Sequence, residues 1–137
     1  MKRFLYTLTA LTLMALAGCS EREPEVKSLI YLIGDGMGLA QMTMLEVEED
    51  YAPTPFSRAE AVSLVTTRSA NNRVTDSAAA GTALATGFKT NNSMLGVTPD
   101  SVAVKSMMEM ARDAGKATGL VVSCYLQHAT PGAFYAH

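Results

Sequence analysis

The sequence has few of the residues that build cysteine-rich scaffolds or basic binding surfaces. Its 137 residues include two cysteines, two histidines and no tryptophan. Two cysteines cannot make a disulfide framework or a cysteine-rich zinc module. Eleven basic residues against thirteen acidic ones leave a net charge of −2, without the basic excess that a nucleic-acid-binding protein carries. We therefore expect a protein that does not bind nucleic acid.

The first apolar run is too short for a transmembrane helix, which needs about 20 apolar residues. It extends from Phe4 to Ala17 without a charge and follows the basic start Met1-Lys2-Arg3. This form is typical of a secretory signal peptide. The run ends in Leu16-Ala17-Gly18-Cys19, which resembles the lipobox of bacterial lipoprotein signals, where the cysteine is acylated and becomes the first mature residue. An ordinary signal with a chance cysteine is the alternative.

We interpret residues 1–18 as a lipoprotein signal peptide and residues 19–27 as a charged tether that contains Pro24. Cys19 is then the lipidation site. This predicts a protein of the bacterial cell envelope, in the periplasm or on the outer surface, that meets the membrane through its lipid anchor only. A firm anchor of this kind needs more than one acyl chain.

The rest of the chain alternates between strand and helix patterns. Apolar runs rich in β-branched residues predict strands over residues 28–33, 61–67 and 117–123. Helical patterns occupy residues 39–50, 76–86 (closing at Gly87) and 101–114 (ending at Gly115), and Thr130-Pro131 predicts another helix start, with threonine as the N-cap. This alternation predicts an α/β fold with a doubly wound, mostly parallel sheet. Ligands of such sheets bind beyond the carboxyl ends of the strands.

A carboxylate stands in a glycine-rich turn after the first predicted strand. The turn reads Gly34-Asp35-Gly36-Met37-Gly38, and Leu39 follows where a dinucleotide fingerprint would require glycine. A carboxylate flanked by glycines is a good ligand for a hard metal ion, because glycine permits close approach. The alternative is a turn aspartate that caps the next helix.

A serine stands at the predicted start of a helix with very small side chains. The string reads Val74-Thr75-Asp76-Ser77-Ala78-Ala79-Ala80-Gly81-Thr82. Free N–H groups and the helix dipole favour an anion at this position, so Ser77 could attack an electrophile and hold a phosphoryl group there. A simple N-cap is the alternative, but it does not account for a helix start so stripped of side chains.

These strings resemble the alkaline phosphatase family, in the family's usual order, over residues 28–137. The resemblance extends to Thr86-Gly87-Phe88-Lys89-Thr90, to Gln127-His128-Ala129-Thr130-Pro131 and to Tyr135-Ala136-His137. It implies hydrolysis of phosphate monoesters through a phosphoserine, with two zinc ions and one magnesium ion. It also implies that Ser77 is the nucleophile, that Asp35 bridges a zinc and the magnesium, and that Thr130 offers its hydroxyl to the magnesium. The family is often dimeric, so a homodimer is one expectation.

His128 leaves three interpretations open. Some family members have aspartate at this position and others histidine, and the exchange affects how tightly magnesium is held. The ring could bind the magnesium, bond to a water on the metal, or be a loop residue without function.

The resemblance also implies that most zinc ligands, a magnesium-binding glutamate and a phosphate-clamping arginine lie beyond His137. We therefore interpret residues 28–137 as the N-terminal part of a catalytic domain and expect the 137-residue chain alone to be inactive. Two other classes of function stay open. One is a sister phosphodiesterase or sulfatase-type enzyme, which usually has a different string around its nucleophile. The other is a non-catalytic, truncated surface lipoprotein.

Overall fold

The computed structural model describes residues 26–137, and the predicted signal peptide and Cys19 lie outside them. The described residues contain four helices: α1 (Leu39–Glu48), α2 (Ser77–Thr86), α3 (Met107–Asp113) and α4 (Ala129–Gly132). The chain divides after Ile33, and all four helices belong to the unit that begins at Gly34. In the described part of the chain, no helix combines the length and the apolar character that a bilayer crossing requires.

The local end signals of α2 are confirmed. Asp76 is the N-cap, and its side chain accepts a hydrogen bond from the N–H of Ala79 at 2.8 Å. The helix ends at Gly87, which has a φ of 79°, a left-handed conformation that glycine adopts without a steric penalty. Both ends are therefore set by residues within the predicted segment, which makes the position of Ser77 at the first helical residue a local property of the sequence.

Two predicted helix starts are wrong. Helix α3 begins at Met107 rather than near Ser101, because Ser106 and Glu109 form a capping box there. Ser101 has a φ of 61° and cannot begin a helix. Helix α4 has His128, not Thr130, as its N-cap, so Thr130 lies inside the helix and its hydroxyl is available for other contacts.

The three predicted strands are not formed in residues 26–137, whose one ladder contact is an isolated antiparallel bridge between Val97 and Ala103. Their apolar side chains are mostly exposed: Val62 is 84% exposed and Leu64 is 80% exposed. A strand of a parallel sheet needs hydrogen-bonding neighbours and helices over both faces. The described residues do not supply them, so the apolar runs stay irregular although their pattern is that of buried strands.

A small core of short side chains holds the helices of residues 34–137 together. Ala85 of α2 is buried with Ala133 and Phe134, and Leu95, Met107, Met108 and Leu120 pack around them. Gly81 lies where α2 meets α4, and a Cβ built on it would be 3.0 Å from the Cβ of Ala133. Close approach of these two helices therefore depends on the missing side chain at position 81.

Buried polar groups connect the chain around this core. The Thr82 hydroxyl accepts a hydrogen bond from the Gly96 N–H at 2.9 Å, and the Ser106 hydroxyl donates to the Phe134 carbonyl at 2.6 Å. Because each hydroxyl is buried and bonded, these contacts specify the packing rather than weaken it.

His137, to which the sequence assigned no role, joins this framework. Its Nδ1 lies 3.0 Å from the Gly96 carbonyl oxygen, and its Nε2 lies 3.2 Å from Oε1 of Glu109. The Gly96 carbonyl and then the Glu109 carboxylate raise the pKa of His137, because both stabilise the protonated ring. The backbone N–H of Ser106, and then His137, lower the pKa of Glu109. This pair fixes the chain after α4 to the start of α3.

Candidate active site

The turn that holds Asp35 is tight and open to solvent. The Met37 N–H donates to the Gly34 carbonyl at 3.0 Å, and Gly36 has a φ of 71°. That φ favours glycine because other residues pay a steric penalty there. The Gly38 N–H donates to the Gln41 side chain at 2.9 Å, which joins the turn to the start of α1. The Asp35 carboxylate is thereby presented on a short, internally bonded turn.

Ser77 stands at the positive end of α2. The Asp76 side chain accepts a hydrogen bond from the N–H of Ala79, and the Ala80 N–H donates to the Asp76 carbonyl at 3.0 Å. The helix dipole adds partial positive charge at this end. Ser77 is followed by three alanines and Gly81, so no long side chain covers the N–H groups beside the serine hydroxyl. The arrangement suits an anion held against Ser77.

Two side-chain hydroxyls from distant parts of the chain meet at the Asp35 carboxylate. The Ser77 hydroxyl donates to Oδ2 of Asp35 at 3.2 Å, with Oδ1 at 3.5 Å. The Thr130 hydroxyl donates to the same Oδ2 at 2.6 Å. The carboxylate therefore bridges the start of α2 and the first turn of α4 and brings together Asp35, Ser77 and Thr130.

This oxygen cluster fits part of a metal site. One carboxylate and two hydroxyls are donors of the type that magnesium prefers, and a carboxylate with two oxygens can also reach a second cation. A zinc site takes three or four nitrogen, sulfur or oxygen ligands. Within residues 26–137, no three His, Cys, Asp or Glu side chains come together in a way that could hold a metal ion. The described residues thus supply some of the metal ligands that the family resemblance implies, and not a complete zinc site.

His128 lies next to this cluster in sequence but forms no hydrogen bond with its three side chains. As the N-cap of α4 it uses its backbone, and no side-chain capping bond is formed. The ring packs edge-on against Tyr125 at a centroid distance of 5.5 Å. Its Nδ1 is buried and has no partner among the described residues, so this nitrogen is a polar group still to be satisfied.

Sequence reasoning missed the residues that contact the segment just before Ser77. The adjacent residues Asn91 and Asn92 predict a turn, and nothing in the sequence gives Asn92 or Ser93 a further role. The Asn92 side chain donates to the Val74 carbonyl at 3.0 Å, and the Ser93 N–H donates to Asp76 at 2.5 Å. The adjacent asparagines signalled a turn, but no local pattern shows which segment a turn will contact.

Comparison with known proteins gives a consistent result. The family model "Alkaline phosphatase" matches residues 26–137. The chain is 40% identical over 121 residues to alkaline phosphatase 4 of Bacillus subtilis (strain 168), a match that covers 82% of this chain and 26% of that protein. The chain thus spans about a quarter of the length of this curated relative.

Solved structures agree with the sequence match. Alkaline phosphatase from the Antarctic bacterium TAB5 superposes with a TM-score of 0.69 and 38% identity, covering 74% of this chain and 30% of that one. A variant of the same enzyme, described as having Mg bound in its M3 site, gives a TM-score of 0.68 at 37% identity, covering 74% and 29%. The likeness implies the α/β fold of these enzymes, which the described residues alone do not complete.

Proposed function

Because the chain belongs to the alkaline phosphatase family, we propose that the whole protein hydrolyses phosphate monoesters through a phosphoserine formed on Ser77. One observation carries the proposal. The Ser77 hydroxyl lies at the N-terminus of α2 and donates to Asp35, which also accepts the Thr130 hydroxyl. This combines a nucleophile, an anion-binding helix end and a carboxylate ligand within one cluster.

In the proposed reaction, Ser77 Oγ attacks phosphorus, the bond to the departing alcohol oxygen breaks, and the Ser77 proton passes to that oxygen. The N–H groups at the start of α2 stabilise the negative charge of the phosphoryl oxygens. Water then attacks the phosphoserine phosphorus, the bond from phosphorus to Ser77 Oγ breaks, and a proton from the water passes to Oγ as phosphate is released. Asp76 caps the helix and keeps the serine at its first residue throughout.

We propose that Asp35 bridges a zinc and the magnesium and that Thr130 offers its hydroxyl to the magnesium. Two zinc ions and one magnesium ion would supply positive charge that activates the serine and stabilises the departing oxygen. The orientation of these ligands follows from the chain itself: the turn at residues 34–38 presents Asp35 and the first turn of α4 presents Thr130. His128 would bind magnesium or a water on it. The magnesium in the TAB5 variant supports a magnesium position in this protein.

The product of the whole open reading frame provides the test, after the coding DNA has been read past the codon for His137. With zinc and magnesium present, we expect turnover of a chromogenic phosphate monoester, and mass spectrometry of the acid-quenched reaction should find phosphate on Ser77. Chelation should abolish turnover. The 137-residue chain alone serves as the control and should be inactive.

The substrates distinguish the remaining classes. Preferential turnover of a phosphodiester or a sulfate ester would identify a sister phosphodiesterase or sulfatase-type enzyme and contradict the proposal. No turnover of any ester by the metal-loaded protein would leave a non-catalytic surface lipoprotein. A homodimer, proposed from the family, is tested on the same preparation by its mass in solution.

We further propose that Cys19 carries the lipid anchor that holds the protein in the bacterial cell envelope. The support is the string Leu16-Ala17-Gly18-Cys19 after an uncharged apolar run. Cells grown with labelled palmitate should incorporate label into the protein, and Cys19→Ser should abolish it. Cys124→Ser is the matched control, because Cys124 is an exposed free cysteine of the described chain and should leave the label unchanged. Label that persists in Cys19→Ser would contradict the anchor.

A further inference from the structure

A turn that follows α2 in the chain holds the segment that leads into α2. The turn comprises residues 91–93. The Asn92 Nδ2 donates to the Val74 carbonyl at 3.0 Å, and the Ser93 N–H donates to Oδ2 of Asp76 at 2.5 Å. These two bonds lie on either side of Thr75 and end one residue before Ser77. The segment that leads to the serine is therefore held at the Val74 carbonyl and at the Asp76 side chain.

The second of these bonds passes through the helix cap. Oδ2 of Asp76 takes the Ser93 N–H while Oδ1 takes the Ala79 N–H at 2.8 Å. One carboxylate thus joins the turn to the first turn of α2. A shift of the turn would move the cap, and with it the direction in which the helix presents the Ser77 hydroxyl toward Asp35.

The turn is itself fastened to the preceding loop. The Asn92 N–H donates to Oδ1 of Asn71 at 2.9 Å, and the Ala70 N–H donates to the Thr90 carbonyl at 2.8 Å. The contact between residues 69–76 and 89–93 therefore does not depend on Asn92 alone. Removal of its side-chain amide should release the Val74 carbonyl and loosen the nearby Asp76 cap, while the contacts made by Asn71 and Thr90 stay in place.

Two unfavourable features are retained in this turn. Ser93 has a φ of 67°, a left-handed conformation that is strained for a residue with a side chain. Oδ1 of Asn92 is buried and has no hydrogen-bond partner among the described residues. Strain that surrounding contacts maintain is commonly found where a functional group must be held in position. Here the maintained contacts converge on the residues just before Ser77.

We propose that Asn92 is a positioning residue for the Ser77 nucleophile, acting directly on the Val74 carbonyl and, through that part of the backbone, on the Asp76 cap two residues later. The inference rests on the proposed function, because it assigns Asn92 to the phosphorylation step of that reaction. Small displacements of a reacting atom lower rates steeply, by about a hundredfold for 1 Å. Loss of the amide donor should therefore reduce the rate at which Ser77 is phosphorylated without changing how the phosphate group is bound.

The test compares Asn92→Ala with Asn91→Ala in the product of the whole open reading frame. Asn91 is the matched control, because its side chain makes no hydrogen bond in the part of the chain that the structure describes. We expect Asn92→Ala to lower kcat by about 10-fold to 100-fold with KM within about twofold. The burst of Ser77 phosphorylation should slow, while hydrolysis of phosphoserine that is already formed should keep its rate. Asn91→Ala should match the wild type in each measurement.

A merely structural role would give a different pattern. Wild-type phosphorylation kinetics in Asn92→Ala would overturn the proposal, and so would a fall in kcat that Asn91→Ala shares. If the wild type hydrolyses no monoester, the proposed function fails and the catalytic role of Asn92 fails with it. Hydrogen exchange at the Ala79 amide, which is bonded to the Asp76 cap, then still tests whether Asn92 holds the segment before Ser77. Faster exchange in Asn92→Ala supports this positioning contact, and unchanged exchange overturns it.

Discussion

Replacing Ser77 with alanine is expected to lower kcat toward a phosphate monoester by about a thousandfold or more, which corresponds to about 4 kcal/mol of transition-state stabilisation. The physical reason is that alanine has no oxygen to form the covalent intermediate. The fold should be kept, because the Ser77 side chain bonds only to Asp35 among the described residues and alanine is a strong helix former. The measurement is steady-state kinetics of the metal-loaded protein, together with the search for phosphoserine.

Ser63→Ala is the matched control for this substitution. Ser63 is exposed and lies away in sequence from Asp35, Ser77 and Thr130. Its substitution by alanine removes a hydroxyl of the same kind and should leave kcat at the wild-type value. Residual activity of Ser77→Ala within tenfold of the wild type, or phosphate trapped on another residue, would show that Ser77 is not the nucleophile.

Replacing Asp35 with asparagine is expected to lower kcat/KM by about 100-fold to 1000-fold. Asparagine keeps the size of the side chain but removes its charge and turns one acceptor oxygen into a donor. One carboxylate can serve Ser77, Thr130 and two cations at once, whereas an amide offers a single oxygen. Metal content of the purified protein and activity at increasing magnesium should reveal weaker binding, with partial rescue at high concentration.

Asp100→Asn provides the comparison for the loss of one negative charge. Asp100 is exposed, and its variant should keep both metal content and activity. Equal metal content in Asp35→Asn and the wild type would contradict the proposed ligand role, whatever the effect on rate.

The bounds of α2 were predicted well from local signals, whereas the local capping box that starts α3 was missed. Helix α2 carries its own cap in Asp76 and its own terminator in Gly87, so both bounds can be derived from neighbours in the chain. The roles of Asp35, Ser77 and Thr130 were implied by the family resemblance, whereas their contacts span 42 and 95 residues and no local rule could give them.

Features that depend on distant partners were not predicted. The apolar pattern at residues 61–67 is that of a buried strand, but a strand exists only when neighbours complete its hydrogen bonds, and the described residues leave Val62 and Leu64 exposed. The contact of Asn92 with Val74 is likewise invisible to periodicity, because an amide in a turn has many available acceptors. Tertiary packing chooses among them.

The glycine at position 81 has a consequence for how this protein can vary. The spacing of α2 and α4 determines how far Ser77 lies from Thr130, and that spacing depends on a residue without a side chain. Even a methyl group at position 81 would start 3.0 Å from Ala133, so that the two helices would have to part by a few tenths of an ångström. A substitution at this position would therefore act on the geometry of a site to which Gly81 itself contributes no functional group.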